Sequence, residues 1–231
     1  NKQKNKTMTK FKLYIVLSII SIAYFRQASA QTIIHNDAAN KNRVLTQIGI
    51  DPATMIALGY ERKLELSVFK KQLVSFAEWR FSAANITNSE LKIGGIIPLI
   101  EVNNFKIVNN LNLSAGTLAA KNFDSKNFAV ADEIAFGFYK TKGFFVFTAE
   151  YEKAYLNYLE HSDFYRETYY QDVIDGWYHG AGGMFQFGIE GGRTFYEKID
   201  VHLEMKIPVT EKLNSYRGSP AHINLGIGYR F

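Results

Sequence analysis

The sequence predicts an all-β chain closed as an antiparallel up-and-down transmembrane β-barrel of about ten strands, with eight or twelve as the alternative counts. Three observations predict it. Short segments with period-two alternation follow one another, separated by Asn, Asp, Gly, Lys and Ser clusters. Aromatic content is high at 15%, and there are 17 glycines against 4 prolines, a pairing that recurs in β-rich membrane barrels. No segment beyond the N-terminal region carries a 3.6-residue apolar stripe or the ~20 apolar residues that a spanning helix needs.

The N-terminal region reads as an export signal. Lys2, Lys4, Lys6, Lys10 and Lys12 are basic, Leu13 to Phe25 is apolar, and Ala28-Ser29-Ala30 supplies a small-residue cleavage site before Gln31. Met8 fits as the start of a compact signal. The expected organisation is therefore a cleavable signal peptide over 1–30, a loose leader over 31–42 and the barrel over 43–231. Residues 1–30 hold six of the 27 Lys and Arg and none of the 22 acids, so the mature chain has a net charge of −1. That balance gives no support to nucleic-acid binding, which requires a basic stripe on the mature chain. The absence of cysteine excludes disulfides, thiolate metal sites, a cysteine nucleophile and a lipoprotein anchor.

Ten strands are read in order: 44–50, 54–64, 72–82, 90–100, 105–117, 128–139, 144–155, 183–193, 200–207 and 221–231. Most match the ~9–11 residues of a spanning strand. Their faces differ sharply. In 72–82, Leu73, Ala77, Trp79 and Phe81 oppose Glu78 and Arg80. In 105–117, Phe105, Ile107, Leu111 and Leu113 oppose Lys106, Asn110, Asn112 and Ser114. In 144–155, Phe145, Phe147, Ala149 and Tyr151 oppose Val146, Thr148, Glu150 and Glu152. In 200–207, Val201, Leu203 and Met205 oppose His202, Glu204 and Lys206. Tyr60, Trp79, Tyr139, Tyr151, Tyr155 and Tyr229 lie near strand ends, where an aromatic girdle belongs.

Connections alternate in length. Segments 65–71, 101–104, 140–143 and 194–199 are short. Most of 51–53, 83–89, 118–127, 156–182 and 208–220 are longer, the asymmetry of barrels with short turns at one end and loops at the other. The lumen is expected to enclose Glu61, Glu78, Arg80, Lys92, Glu133, Glu150, Glu152, Glu190, His202, Glu204, Lys206 and Arg230. A barrel of this size is only wide enough for side chains to fill it. Arg/Lys–Glu pairs are therefore expected across it.

The tail HINLGIGYRF places Ile223, Leu225, Ile227, Tyr229 and Phe231 on one face. It resembles the C-terminal assembly signal of small Gram-negative outer-membrane β-barrel proteins, of the porin-like or outer-membrane protein β-barrel domain kind. The resemblance implies a bacterial outer-membrane location and recognition by the barrel-insertion machinery. It also implies a last strand that closes against the first, a periplasmic leader, and outer-membrane lipid as surroundings.

The longest loop, 156–182, is dense in aromatics and acids. Tyr165, Tyr169, Tyr170, Asp175, Trp177 and Tyr178 suggest an extracellular binding surface, because Tyr and Trp anchor interfaces. Strands running on beyond the membrane would account for the same aromatics. The acids lack the spacing of a calcium loop, so no metal is expected. His161 and His179 with Asp163 or Asp175 offer a rim His/Asp site. No cofactor motif is present, since the glycines at 180–183 open no helix. The leading expectation is a structural or interaction barrel, a subunit or anchor in an envelope assembly with a protein partner in the outer membrane. A narrow channel for small solutes is the alternative, and a rim hydrolase is a third.

Overall fold

Alternation forces the backbone into strands, and a strand in lipid must pair on both edges. The computed structural model describes residues 41–51, 53–66, 71–168, 172–179, 183–210 and 221–231. The signal over 1–30, most of the leader, Tyr169 and Tyr170 fall outside them.

Among the described residues there are eleven strands: β1 Asn42–Asp51, β2 Ala53–Leu66, β3 Lys71–Ser82, β4 Ser89–Val102, β5 Phe105–Ala119, β6 Phe123–Lys140, β7 Gly143–His161, β8 Gly176–His179, β9 Gly183–Phe195, β10 Ile199–Thr210 and β11 His222–Arg230. A short helix, α1, covers Asp163–Thr168. Ten strands form a closed antiparallel ring, with β7 paired to β9. The ring closes between β1 and β11, where Val44 faces Tyr229 and Ile50 faces Ile223. Backbone bonds between Asn42 and Phe231 finish the seam. β8 stands outside the ring and pairs only with Leu156–Leu159 of β7.

The connections differ in part from the sequence expectation. β6 starts at Phe123 and β7 runs on to His161, so most of the expected loop 118–127 is strand and the connection shrinks to 120–122. The expected loop 156–182 contains the end of β7, α1 and β8. Paired backbone groups lower the cost of extending these strands past the bilayer. A bulge at Leu99 follows Pro98, which has no N–H for the ladder. A second bulge, at Tyr155, reverses the face parity of β7 beyond it.

The outer surface is apolar. Ile223, Leu225, Ile227, Tyr229 and Phe231 all point outward from β11 or its end, beside Ile48, Leu203 and Ile207. Aromatic pairs such as Phe136–Phe147, with centroids 5.7 Å apart, cover β6 and β7. Polar side chains occupy the inside. This is the reverse of a soluble sandwich, and it fits a hydrocarbon surround.

One part of the interior is apolar too. Leu45, Val74, Phe76, Ile96, Val108, Ala135, Tyr139, Phe144 and Val146 form one buried cluster at the short-turn end of the lumen. Tyr139 therefore belongs to this plug and not to the outer girdle. Its ring stacks on Phe144 at 5.9 Å.

Candidate functional site

Inward residues on a closed barrel meet across the axis as well as along the wall. All twelve residues assigned to the lumen from sequence have buried side chains. Arg43, Glu90, Lys106 and Asp200 join them, giving nine carboxylates against six Lys and Arg among the described residues. Burial of so many charges is tolerable only with partners.

Lys206 on β10 forms the largest junction. Its Nζ lies 2.5 Å from Glu133 on β6, 2.7 Å from Glu150 on β7 and 3.0 Å from Glu204 on its own strand. Asn224 donates to Glu204 at 3.0 Å, and Asn110 donates to Glu133 at 3.4 Å. The side chain has room because Gly188 lies directly opposite on β9. A Cβ there would stand 2.5 Å from Lys206 Cγ.

A second junction sits nearer the short turns. Arg230 grips Asp200 with two nitrogens, at 2.7 and 2.8 Å. Arg43 contacts Asp200 at 3.1 Å and Glu61 at 3.1 Å, and the Thr194 hydroxyl donates to Asp200 at 2.7 Å. Between the two junctions, His202 faces Gln47 at 3.0 Å across β11. Gly226 of β11 lies opposite His202, and a Cβ at Gly226 would collide with the imidazole. On the other wall, register places Glu78 opposite Lys92 and Arg80 opposite Glu90. Further contacts run along each strand, from Arg80 to Glu78 at 3.4 Å and from Lys92 to Glu90 at 3.8 Å. The remaining carboxylates of the assigned set, Glu152 and Glu190, are buried on β7 and β9.

The loop-end candidates are brought together only in part. Asp175 accepts from the His161 amide at 2.9 Å and contacts its Nδ1 at 2.9 Å. Its other oxygen accepts from Arg166 of α1. The His161 amide above all, and then its ring and the Arg166 guanidinium, hold the Asp175 carboxyl below its ordinary pKa. Tyr165 is buried and stacks on His161 at 5.2 Å. Trp177 and Tyr178 are exposed on β8, with Trp177 against Tyr158 at 5.3 Å. His179 is exposed at the end of β8 and Asp163 is exposed at the start of α1, so neither shares the His161 cluster.

Sequence reading missed one feature of the outer face. Asp132 points outward from β6 between Val130 and Ile134, and Asn109 of β5 donates a hydrogen bond to it. A carboxylate in the apolar belt is out of place unless something polar meets it. The acidic break in the outward run Phe128–Phe138 was the available signal.

No protein-family model matches the sequence, and no curated protein is similar to it. Solved structures of outer-membrane barrels are similar in fold. The β-domain of the Bordetella autotransporter BrkA is 10% identical, with a TM-score of 0.41 over 82% of this chain and 98% of that one. The KdgM porin, solved in complex with disordered oligogalacturonate, is 9% identical, with a TM-score of 0.37 over 82% of this chain and 99% of that one. The Acinetobacter baumannii outer membrane protein Omp33 is 9% identical, with a TM-score of 0.34 over 83% of this chain and 98% of that one. At such identities they assign no role to any residue here.

Proposed function

We propose that this chain is a bacterial outer-membrane barrel with a structural or interaction role, a subunit or anchor in an envelope assembly whose lumen does not conduct. The observation that carries the reading is the filled interior. An apolar plug at the short-turn end and the Lys206 junction both occupy the lumen, so an ion would have to pass each of them. The wall then becomes the working surface. The Asn109–Asp132 pair marks the place on it where a partner's hydrogen-bond donors or cations would relieve a carboxylate in lipid. The exported chain would be received by the barrel-insertion machinery through Ile223, Leu225, Ile227, Tyr229 and Phe231, leaving its long-loop end outside the cell.

Co-purification from gently solubilised membranes tests the interaction role. A stoichiometric companion lost on Asp132→Leu is expected. Stable single-channel steps in planar bilayers at neutral pH would overturn the non-conducting reading. The rim-hydrolase reading draws on the His161–Asp175 pair, but Arg166 holds the second carboxylate oxygen and Tyr165 covers the ring. That arrangement suits a latch between β7 and the approach to β8. Lipid or peptide hydrolysis abolished by His161→Ala would reinstate the enzyme.

A further inference from the structure

At the short-turn end, the outer wall has a depression of about 970 Å³ between the β4–β5 hairpin, the β6–β7 hairpin and β9. Its lining divides by chemistry. Phe138 and Phe145 supply exposed apolar rings, half-buried Phe105 packs edge-on against Phe138 at 5.8 Å, and Phe144 of the plug lies behind them. Lys140, Lys142 and Arg193 supply three exposed cations at its edge. Strand register sets them side by side, since Lys140 pairs with Gly143 and Gly143 pairs with Arg193.

The cations lack local balance. Elsewhere on the same rim Lys41 pairs with Glu65 at 3.8 Å and Lys106 with Glu101 at 3.2 Å. Among the described residues no carboxylate forms an ion pair with Lys140, Lys142 or Arg193, and Arg193 lies over the Phe195 ring at 5.6 Å. At the opposite rim Asp124, Glu160, Asp163, Glu167 and Asp172 are exposed. Lys121 and Lys126 there lie over the Phe164 and Tyr158 rings. Among the described residues the exposed charges at that opposite rim are mostly acidic.

We infer that this depression seats one anionic phospholipid, its headgroup phosphate between Lys140, Lys142 and Arg193 and an acyl chain along Phe105, Phe138 and Phe145. Charge complementarity selects the headgroup, because basic clusters at a membrane surface recruit anionic lipid. The apolar rings select a lipid over a free phosphate. The site presupposes the membrane-spanning barrel but neither of the roles weighed for it.

The full chain would be inserted into nanodiscs of phosphatidylcholine mixed equally with phosphatidylglycerol, and the lipids retained on release would be counted by native mass spectrometry. Retained phosphatidylglycerol should exceed phosphatidylcholine, with each cation worth on the order of fivefold. The triple variant Lys140→Gln/Lys142→Gln/Arg193→Gln should lose most of that preference. Arg193→Gln alone should lose part of it, which keeps the test open if the triple variant folds poorly. Lys121→Gln/Lys126→Gln at the other rim should keep it. Soluble glycerol phosphate should fail to displace the lipid. Equal retention of both lipids, or a preference unchanged in the variants, would overturn the site. Displacement by glycerol phosphate would overturn the acyl contact and the lipid assignment with it. A chain that does not insert at all would instead refute the barrel's place in a membrane.

Discussion

Lys206→Met is the most informative single change, because one buried ammonium holds three carboxylates. The contacts of 2.5, 2.7 and 3.0 Å require the three carboxylate oxygens to lie within about 6 Å of one another. At an effective dielectric near 20, two unit charges at that distance repel by about 3 kcal/mol. Protonation and water entry relieve part of this. Removing one partner from a buried ion pair typically costs about 3–5 kcal/mol, and that range is expected here.

The assay is guanidinium unfolding of the barrel in detergent micelles, followed by tryptophan fluorescence. Met conserves length and volume, so packing changes little. The double variant Lys206→Met/Glu133→Gln should recover a large share of the loss, because it removes one of the repelling charges. Glu133→Gln alone should cost less than Lys206→Met, since the ammonium keeps Glu150 and Glu204. A loss under about 1 kcal/mol for Lys206→Met would refute the reasoning. It would mean that water, and not the protein, already solvates these charges.

Three other perturbations follow from the same geometry. Gly226→Ala should destabilise the barrel by about 1–3 kcal/mol by overpacking against His202, and adding His202→Ala should return most of it in the same unfolding assay. Tyr196 and Glu197 hold left-handed backbone at φ 50° and 62° in the β9–β10 turn, so Tyr196→Asn/Glu197→Gly should raise stability by about 1 kcal/mol. A rise in guanidinium midpoint is the readout. The Asp175 carboxyl is held below its ordinary pKa, so its contribution is present above the ordinary aspartate value and is lost as pH falls through the lowered one. Hydrogen-exchange protection across 162–168 and 172–179, taken relative to the intrinsic exchange rate at each pH, should therefore fall in that acidic window, and Asp175→Asn should show the lower protection already at neutral pH.

The sequence makes the wall legible because alternation is local. Phe145 and Phe147 against Thr148 and Glu150 fix which way that strand faces, and in lipid such strands must close because an open edge has no water to bond. What meets across the axis is not local. Nothing in the spacing of Lys206 on β10 announces that it reaches Glu133, three strands away around the ring. Arg43 lies one residue before the expected start of its strand, although its guanidinium ties Glu61 to Asp200. The apolar plug was hidden for another reason. Runs such as Phe144-Phe145-Val146-Phe147 are apolar on both faces, so alternation cannot separate lipid-facing residues from lumen-filling ones. Those runs were nonetheless a signal, since a strand apolar on both faces must bury both. β8 and α1 escaped notice because each is short, and β8 exists only through its pairing with Leu156–Leu159.

In the proposed non-conducting barrel the plug and the charged junction act at different heights, and that decides what an opening mutation must do. Register places Lys206 level with Gly188 and Thr148, four residues from Phe144 on β7 toward the long loops. Phe76 and Phe144 lie in the section nearer the short turns, which they share with the Arg43–Asp200–Arg230 junction, and a Cβ at Gly94 would stand 2.5 Å from Phe76 Cζ. Barriers in series are not relieved one at a time. Lys206→Met should therefore stay silent in planar bilayers even as it weakens the barrel. Phe76→Ala/Phe144→Ala should also stay silent, because the Lys206 junction still spans the section above. Only the triple combination, recorded at neutral pH, should give cation-selective steps, the selectivity arising from the excess of buried carboxylates. Steps in either partial variant would show that one barrier alone closes the lumen and that the other section already holds water.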